Sequence, residues 1–485
     1  MNLLHLFANS LEARKEKIGL EFGSTTITFG EIDARSNRMA RLLTERGLVP
    51  GDRLCVYLEN CVEFIDLFLA CAKLGVIFIP VNILYREREV THIYNDANPK
   101  GLISVAEVPG NLPFWKLDEI REAASQRPSD PIEIKATATG DTVAAIVYTS
   151  GTTGASKGAM LTHNNFIANG INLVTCWQVK EEDRFLLGLP LFHVHALANG
   201  LHVWLMSGCR MRLLERFEHQ KAADEFLNFT PSLFFGVPTI YIRLLDQPLE
   251  TAKKIGSFIR LFVCGSAPLP AHVLESFREK YGHTILERYG MTETLMNISN
   301  PYYGERKAGT VGLPLPGISV KVANENGDDL GVGEVGEIYV KGPNVFSGYW
   351  NREEATVKAF ANGYFKTGDV GFIDANGYYT LCGRKSDLII SGGFNIYPRE
   401  IEEFLLEQPG VAEVAVVGVA HALRGEVPVA YIVASKPDIN TTVLDENCRK
   451  HLASFKIPKA FLLVEKLPRT ALGKVQKHLL PAPQF

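Results

Sequence analysis

Tyr148-Thr149-Ser150-Gly151-Thr152-Thr153-Gly154-Ala155-Ser156-Lys157-Gly158 is the stretch on which the reading of this chain turns. The apolar run 144–147 precedes it, so a buried strand leads into a loop dense in glycine, hydroxyls and one lysine. Gly151, Gly154 and Gly158 permit positive φ and close backbone approach, while the hydroxyls and Lys157 offer donors to phosphate oxygens. The plainer alternative is a surface turn, for which so many hydroxyls and glycines beside a lysine are unusual. A Walker A loop needs glycine immediately before its lysine and Ser or Thr after it. Here Ser156 precedes Lys157 and Gly158 follows, which excludes that loop.

Working outward, 485 residues at 46% hydrophobic and 21% charged predict a globular chain of two to four packing units. A net charge of −4 excludes a whole-chain basic footprint, so no nucleic-acid partner is expected. The eight cysteines form no CxxC pair and no zinc spacing with histidine, as in a reducing compartment. Near the N-terminus, Arg14, Lys15 and Lys17 are interleaved with Glu12 and Glu16, unlike a secretory signal. No apolar stretch reaches the roughly 18 residues of a membrane span. A cytoplasmic protein without a transmembrane segment is expected.

Helical and strand-like segments alternate from the start. Ile32, Met39, Leu42 and Leu43 share a helical face that stops at Gly47. Residues 54–58 read as a strand, 63–73 as a helix and 76–81 as a strand, an alternation that predicts parallel sheets with crossover helices. The polar stretch 127–142 reads as a surface connection. Glycines crowd 304–383 around short β-like runs at 319–322 and 337–340, predicting a small β unit. After Gly383 come a helix at 398–406, strands at 414–419 and 429–433, and a helix near 444–452, consistent with a separate α+β lobe.

Several further motifs point to nucleotide chemistry when taken together. Tyr289-Gly290-Met291-Thr292-Glu293 sets a stacking ring, a hydroxyl and a carboxylate able to ligate Mg²⁺ within five residues. Thr367-Gly368-Asp369 supplies an acceptor-only carboxylate suited to ribose hydroxyls. Gly383-Arg384-Lys385-Ser386-Asp387 follows a predicted strand, and Gly473-Lys474 closes a terminal loop. In this order, over essentially the whole chain, they resemble the adenylate-forming superfamily of acyl- and aryl-CoA synthetases, peptide-synthetase adenylation domains and luciferases.

That resemblance implies an α/β fold: a large N-terminal domain of αβ-layered sheets with a small β-barrel-like subdomain, and a small mobile α+β C-terminal domain. The boundary falls between 1–386 and 387–485, with the hinge at Asp387; a turn cap is the alternative for that residue. It also implies a two-step reaction using ATP, Mg²⁺ and coenzyme A. ATP and an acid give an acyl-adenylate and pyrophosphate, and a thiol then displaces AMP. By resemblance, Thr149, Ser150, Gly151, Thr152, Thr153, Gly154 and Lys157 hold the outer phosphates. Thr292 and Glu293 serve the α-phosphate and Mg²⁺. Tyr289, Gly290 and Met291, with the turn Gly265, Ser266, Ala267 and Pro268, flank adenine, and Asp369 and Arg384 bind ribose. Lys474 bridges the α-phosphate and the attacking carboxylate. Gly392 and Gly393 belong to a loop that moves in for the second step.

Within the superfamily, 189–197, 235–244, 263–269 and 287–300 look like the malonyl-CoA synthetase branch. His193 lies in a segment that resembles the family's wall of the acid pocket. His195 is either a pocket residue or a core histidine satisfied by backbone. Arg288 directly precedes Tyr289, and a dicarboxylate needs a cation for the carboxylate that stays charged. A salt bridge to Glu287 is the alternative for Arg288; Arg243 and Arg306 are secondary candidates. Ser266, His193 and Met296 complete the expected acid pocket, with Val194 and Met296 bearing on room for a 2-methyl group. The expected substrate is malonate or methylmalonate. The alternatives are a short- or medium-chain monocarboxylic or aryl acid, or an adenylation module that loads a carrier protein.

Overall fold

The computed structural model describes every residue except 134–137, 150–155, 393, 422, 437–438, 471–472, 482 and 484–485. The N-terminal domain is built on two mixed sheets. The first runs, in spatial order, Leu313–Pro314, Leu295–Ser299, Leu286–Met291, Leu261–Cys264, Leu233–Gly236, Arg184–Leu187, Arg210–Leu213, Ile18–Phe22 and Thr25–Thr28. From Leu286–Met291 to Ile18–Phe22 every neighbouring pair is parallel. Leu233–Gly236 and Leu261–Cys264 are buried at every position, as strands covered on both faces must be.

The second sheet runs Gly348–Tyr349, Lys157–Thr162, Val143–Thr149, Ile77–Pro80, Arg53–Tyr57, Gly101–Ser104 and Trp115–Lys116. Helix Val62–Leu74 is buried along its whole length, so its charged residues must be paired. Asp66 meets Arg35 at 2.7 Å, Glu63 meets Arg121 at 2.7 Å, and Lys73 meets Asp33 at 2.6 Å. Helix Phe29–Glu45 starts in a reciprocal cap between Thr28 and Glu31 and turns Ile32, Met39, Leu42 and Leu43 inward. Gly47 follows it at φ +83°.

Residues 319–384 form an antiparallel sheet in which Ser319–Ala323, Gly336–Lys341, Tyr364–Ile373 and Phe360–Ala361 lie side by side, with Tyr379–Arg384 also on Tyr364–Ile373. The C-terminal domain has its own sheet of Phe394–Ile396, Ile389–Ser391, Gly425–Ala434, Val411–His421 and Ala460–Leu463, packed on helices Pro398–Leu406 and Thr441–His451. The strand expected at 414–419 is longer because its whole length pairs with Gly425–Ala434. The helix expected near 444–452 starts earlier because Asn440 caps it through the Thr442 N–H.

Contacts between the domains among the described residues include the following pair. Arg399, in the first turn of helix Pro398–Leu406, donates to the Leu381 carbonyl at 2.7 Å. Gly473 packs on Thr239 of helix Pro238–Leu244. Among the described residues no helix is long and apolar enough to cross a membrane.

Candidate active site

The parallel strands of the first sheet deliver their C-terminal ends to one edge, where open α/β sheets bind ligands. Strand Arg184–Leu187 leads to His193, Leu261–Cys264 to the turn 265–268, and Leu286–Met291 to Thr292 and Glu293.

The hairpin between Leu286–Met291 and Leu295–Ser299 is held tightly. A Cβ on Gly290 would stand 1.8 Å from the Leu295 carbonyl oxygen, so only glycine fits there. The Asn344 amide donates to the carbonyls of Thr294 at 2.5 Å and Met296 at 3.1 Å. Glu293, 5% exposed, is thereby fixed at the tip. Burial raises its pKa, opposed by a hydrogen bond from the Tyr349 hydroxyl to Oε1 at 3.1 Å and by the Arg384 charge. The Lys157 ammonium lies 5.1 Å from the centre of the Tyr349 ring. Thr149 and Lys157 pair across the base of the glycine- and hydroxyl-rich loop between them. Ser150, Gly151, Thr152, Thr153 and Gly154 lie outside the described residues, as does Gly393.

Asp369 is gripped from two sides. Tyr289 donates its hydroxyl to Oδ2 at 2.6 Å, and Arg384 Nε meets Oδ1 at 2.7 Å. Lys474 sits at the open rim of this group and keeps solvent access. The surrounding protein lowers its pKa by desolvation and the Arg384 charge adds to that, while Asp369, Asp387 and Glu293 oppose it. Thr470 orders the lysine's turn, its hydroxyl accepting from the Lys474 N–H at 3.1 Å. Asp387 ends a short 3-10 turn, Lys385–Asp387, and Gly392 adopts φ +57° in the hairpin beyond it.

Strand Leu286–Met291 also carries Arg288, directly before Tyr289. Arg288 is 4% exposed, and its Nε and Nη2 find no hydrogen-bond partner among the described residues. Burial lowers its pKa to about 10. A Cβ on Gly265 would stand 2.5 Å from the guanidinium carbon, so that glycine admits the arginine. Burial, with the Arg288 charge second, lowers the half-buried His193 to about 3 and holds His195 well below its ordinary value. His195 is not satisfied by backbone: Nδ1 pairs with the Ser266 hydroxyl at 3.0 Å and Nε2 has no partner among the described residues. Ser266 is held at φ +71°, a conformation that costs a non-glycine residue energy and clusters at functional sites.

Glu287 does not pair with Arg288. Its Oε1 instead accepts the Leu269 N–H at 3.0 Å, tying the turn 265–268 to the strand; Ala267 there is half-buried and Pro268 exposed. The secondary arginines are placed elsewhere. Arg306 is spent on the carbonyls of Thr284, Pro301 and Tyr302, and Arg243 is exposed beside His219. Met296 is fully buried opposite Gly290.

A family described as AMP-binding enzyme matches residues 7–350, and the AMP-binding enzyme C-terminal domain matches residues 400–474. The chain belongs to the AMP-binding enzyme family. ATP-bound MatB from Rhodopseudomonas palustris superimposes with a TM-score of 0.92 at 39% identity, over 99% of this chain and 98% of that one. A malonate–CoA ligase of Arabidopsis thaliana is 33% identical over 96% of this chain and 86% of its own length. A long-chain-fatty-acid–CoA ligase of Bacillus subtilis is 33% identical over 99% and 94%. This AMP-binding enzyme is accordingly an AMP-forming acyl-CoA ligase that uses ATP, Mg²⁺ and coenzyme A.

Magnesium fits the AMP-binding enzyme's cleft in a particular way. No group of three or more ligating side chains exists among the described residues. Mg²⁺ bound to nucleotides commonly takes one or two carboxylates and fills its shell with phosphates and water. Glu293 is a buried carboxylate of the kind such a shell needs, with Oε1 held by Tyr349, whose ring lies 5.1 Å from the Lys157 ammonium. Tyr349 and Asn344, which hold Glu293 and its hairpin, were missed in the sequence. They lie some fifty residues away, in the glycine-rich stretch 304–383 and beyond its short β-like run at 337–340.

Proposed function

We propose that this ligase activates malonate, with methylmalonate as its near relative, to malonyl-adenylate and then malonyl-CoA. The observation that carries the reading is the buried Arg288 guanidinium, whose Nε and Nη2 have no partner among the described residues. A buried charge without a partner is strongly disfavoured, so a site that keeps one is built for a ligand of opposite sign. A dicarboxylate supplies that charge at one end and a nucleophile at the other. A monocarboxylate leaves the arginine unpaired. The relatives' names span malonate and long-chain acids at the same 33% identity, so the arginine and not overall likeness selects malonate here.

In the first step a carboxylate oxygen attacks the α-phosphorus in line. The bond to the bridging oxygen breaks, and pyrophosphate leaves with the electron pair. Such a reaction is catalysed by positioning and charge neutralisation. Thr149, the loop 150–154 and Lys157 hold the outer phosphates, and Thr292 holds the α-phosphate. Glu293 holds Mg²⁺, which neutralises phosphate charge. Tyr289 and the 265–268 turn flank adenine. Asp369, oriented by Tyr289 and Arg384, accepts from the ribose hydroxyls. Lys474 lies between the two anions that must approach each other.

In the second step the coenzyme A sulfur attacks the acyl carbon and AMP departs. We place the hinge for this step at Asp387, dividing 1–386 from 387–485, with Lys474 withdrawn and the Gly392–Gly393 loop brought in. Pyrophosphate release assayed with malonate, butyrate and benzoate, each with and without coenzyme A, tests the reading. Malonate alone should turn over rapidly, and thioester should form only when coenzyme A is present. Preference for butyrate or benzoate would overturn the malonate assignment.

A further inference from the structure

We propose that Tyr349 is a positioning residue that sets the metal-holding carboxylate and the phosphate-loop lysine in a fixed relation. The inference rests on the assignment of Mg²⁺ to Glu293. Strand Gly348–Tyr349 pairs with the lysine's own strand, Tyr349 standing opposite Ala159. The Trp350 N–H donates to the Gly158 carbonyl at 2.8 Å, and the Phe346 N–H donates to the Glu293 carbonyl at 2.7 Å. One short segment is thus pinned at one end to the strand that carries Lys157 and at the other to Glu293.

The Tyr349 side chain repeats that bridge. Its hydroxyl donates to Glu293 Oε1 at 3.1 Å, while its ring face lies under the Lys157 ammonium at 5.1 Å. Edge-on packing against Phe346, with centroids 4.8 Å apart, fixes the ring. The bond to Oε1 orients the carboxylate so that its other oxygen is presented to the cation, as outer-shell donors do at metal sites. The ring offers Lys157 an uncharged resting place that leaves its charge available to phosphate. The hydroxyl and the ring therefore carry separable roles.

The test uses the full chain, Tyr349→Phe, Tyr349→Leu and Glu293→Gln. Calorimetry measures binding of a non-hydrolysable ATP analogue across a range of free Mg²⁺, alongside melting temperatures. Tyr349→Phe should bind the metal-free analogue as the parent does, yet need about tenfold more Mg²⁺ for half-saturation. Its kcat for pyrophosphate release should recover at saturating Mg²⁺. Tyr349→Leu should show the same Mg²⁺ defect and, in addition, weaker metal-free binding. If Tyr349→Phe keeps the parent's Mg²⁺ dependence while Glu293→Gln loses it, the role of Tyr349 is overturned. If both Tyr349 variants lose binding in step with melting temperature, Tyr349 is scaffold and the proposal also fails. Parent-like Mg²⁺ dependence in Glu293→Gln overturns the underlying metal assignment instead.

Discussion

Gly473 of the C-terminal domain lies against Thr239 of the N-terminal domain: a Cβ at 473 would stand 3.1 Å from the Thr239 hydroxyl. The glycine is also held at φ +77°, where side chains are strained. Its neighbour Lys474 is seated by that contact and by Arg469, which donates to the Gly473 carbonyl and pairs with Glu413 at 2.9 Å.

Lys474→Ala should therefore slow pyrophosphate release from ATP and malonate by about 10²–10³-fold, the usual consequence of losing one oriented donor at a transition state. Given synthetic malonyl-adenylate, the same variant should acylate coenzyme A at close to the parent rate. Equal loss in both half-reactions would assign the lysine to the fold. Gly473→Ala should fall between the parent and Lys474→Ala in the first half-reaction.

The hinge assignment predicts the opposite pattern for Asp387→Pro. Proline fixes φ and cannot follow a large local rotation. Adenylate formation should be largely retained and thioester formation strongly reduced, measured as separate half-reactions. A joint fall with a lower melting temperature would make Asp387 a turn cap.

His202 makes stability depend on acid. Its ring is fully buried among Phe7, Phe68 and Phe166, neither nitrogen has a partner among the described residues, and burial lowers its pKa to about 3. Between that value and the unfolded pKa near 6.5 the unfolded chain binds the extra proton, so stability rises with pH there. About 2 kcal/mol from this residue should be lost between pH 7.5 and pH 5. His202→Phe should flatten the dependence of melting temperature on pH across that window. An unchanged slope would assign the acid sensitivity elsewhere.

Local patterns in the chain reported local structure well. The apolar run before Tyr148 is strand Val143–Thr149, and the helix expected at 398–406 is Pro398–Leu406. What was not legible depends on residues distant in sequence. The grip of Asn344 on Thr294, the hydroxyl of Tyr349 on Glu293 and the seat of Gly473 on Thr239 join segments separated by tens to hundreds of positions. No periodicity encodes such contacts. The choice between Arg288, Arg243 and Arg306 was open for the same reason. It turns on which guanidinium the fold buries without a carbonyl or a carboxylate among the described residues, a property that Arg288 has and the exposed Arg243 and carbonyl-bound Arg306 lack.

Gly265 offers a steric check on that arginine. With a Cβ 2.5 Å from the guanidinium carbon, Gly265→Ala must displace Arg288. The KM for malonate should rise at least tenfold, with a smaller change in the KM for ATP. A larger effect on ATP would place the glycine's importance at the adenine wall.

The most direct measurement is kcat/KM for malonate and for butyrate on the parent and on Arg288→Met. Removing one partner of a buried ion pair costs about 3–5 kcal/mol, so malonate should fall by at least roughly 10²–10³-fold. Butyrate, which leaves the parent's guanidinium buried and unpaired, should improve in absolute terms once the charge is gone. A fall by the same factor for both acids would contradict the account, because Arg288 would then serve the scaffold or the adenine site and not the distal carboxylate.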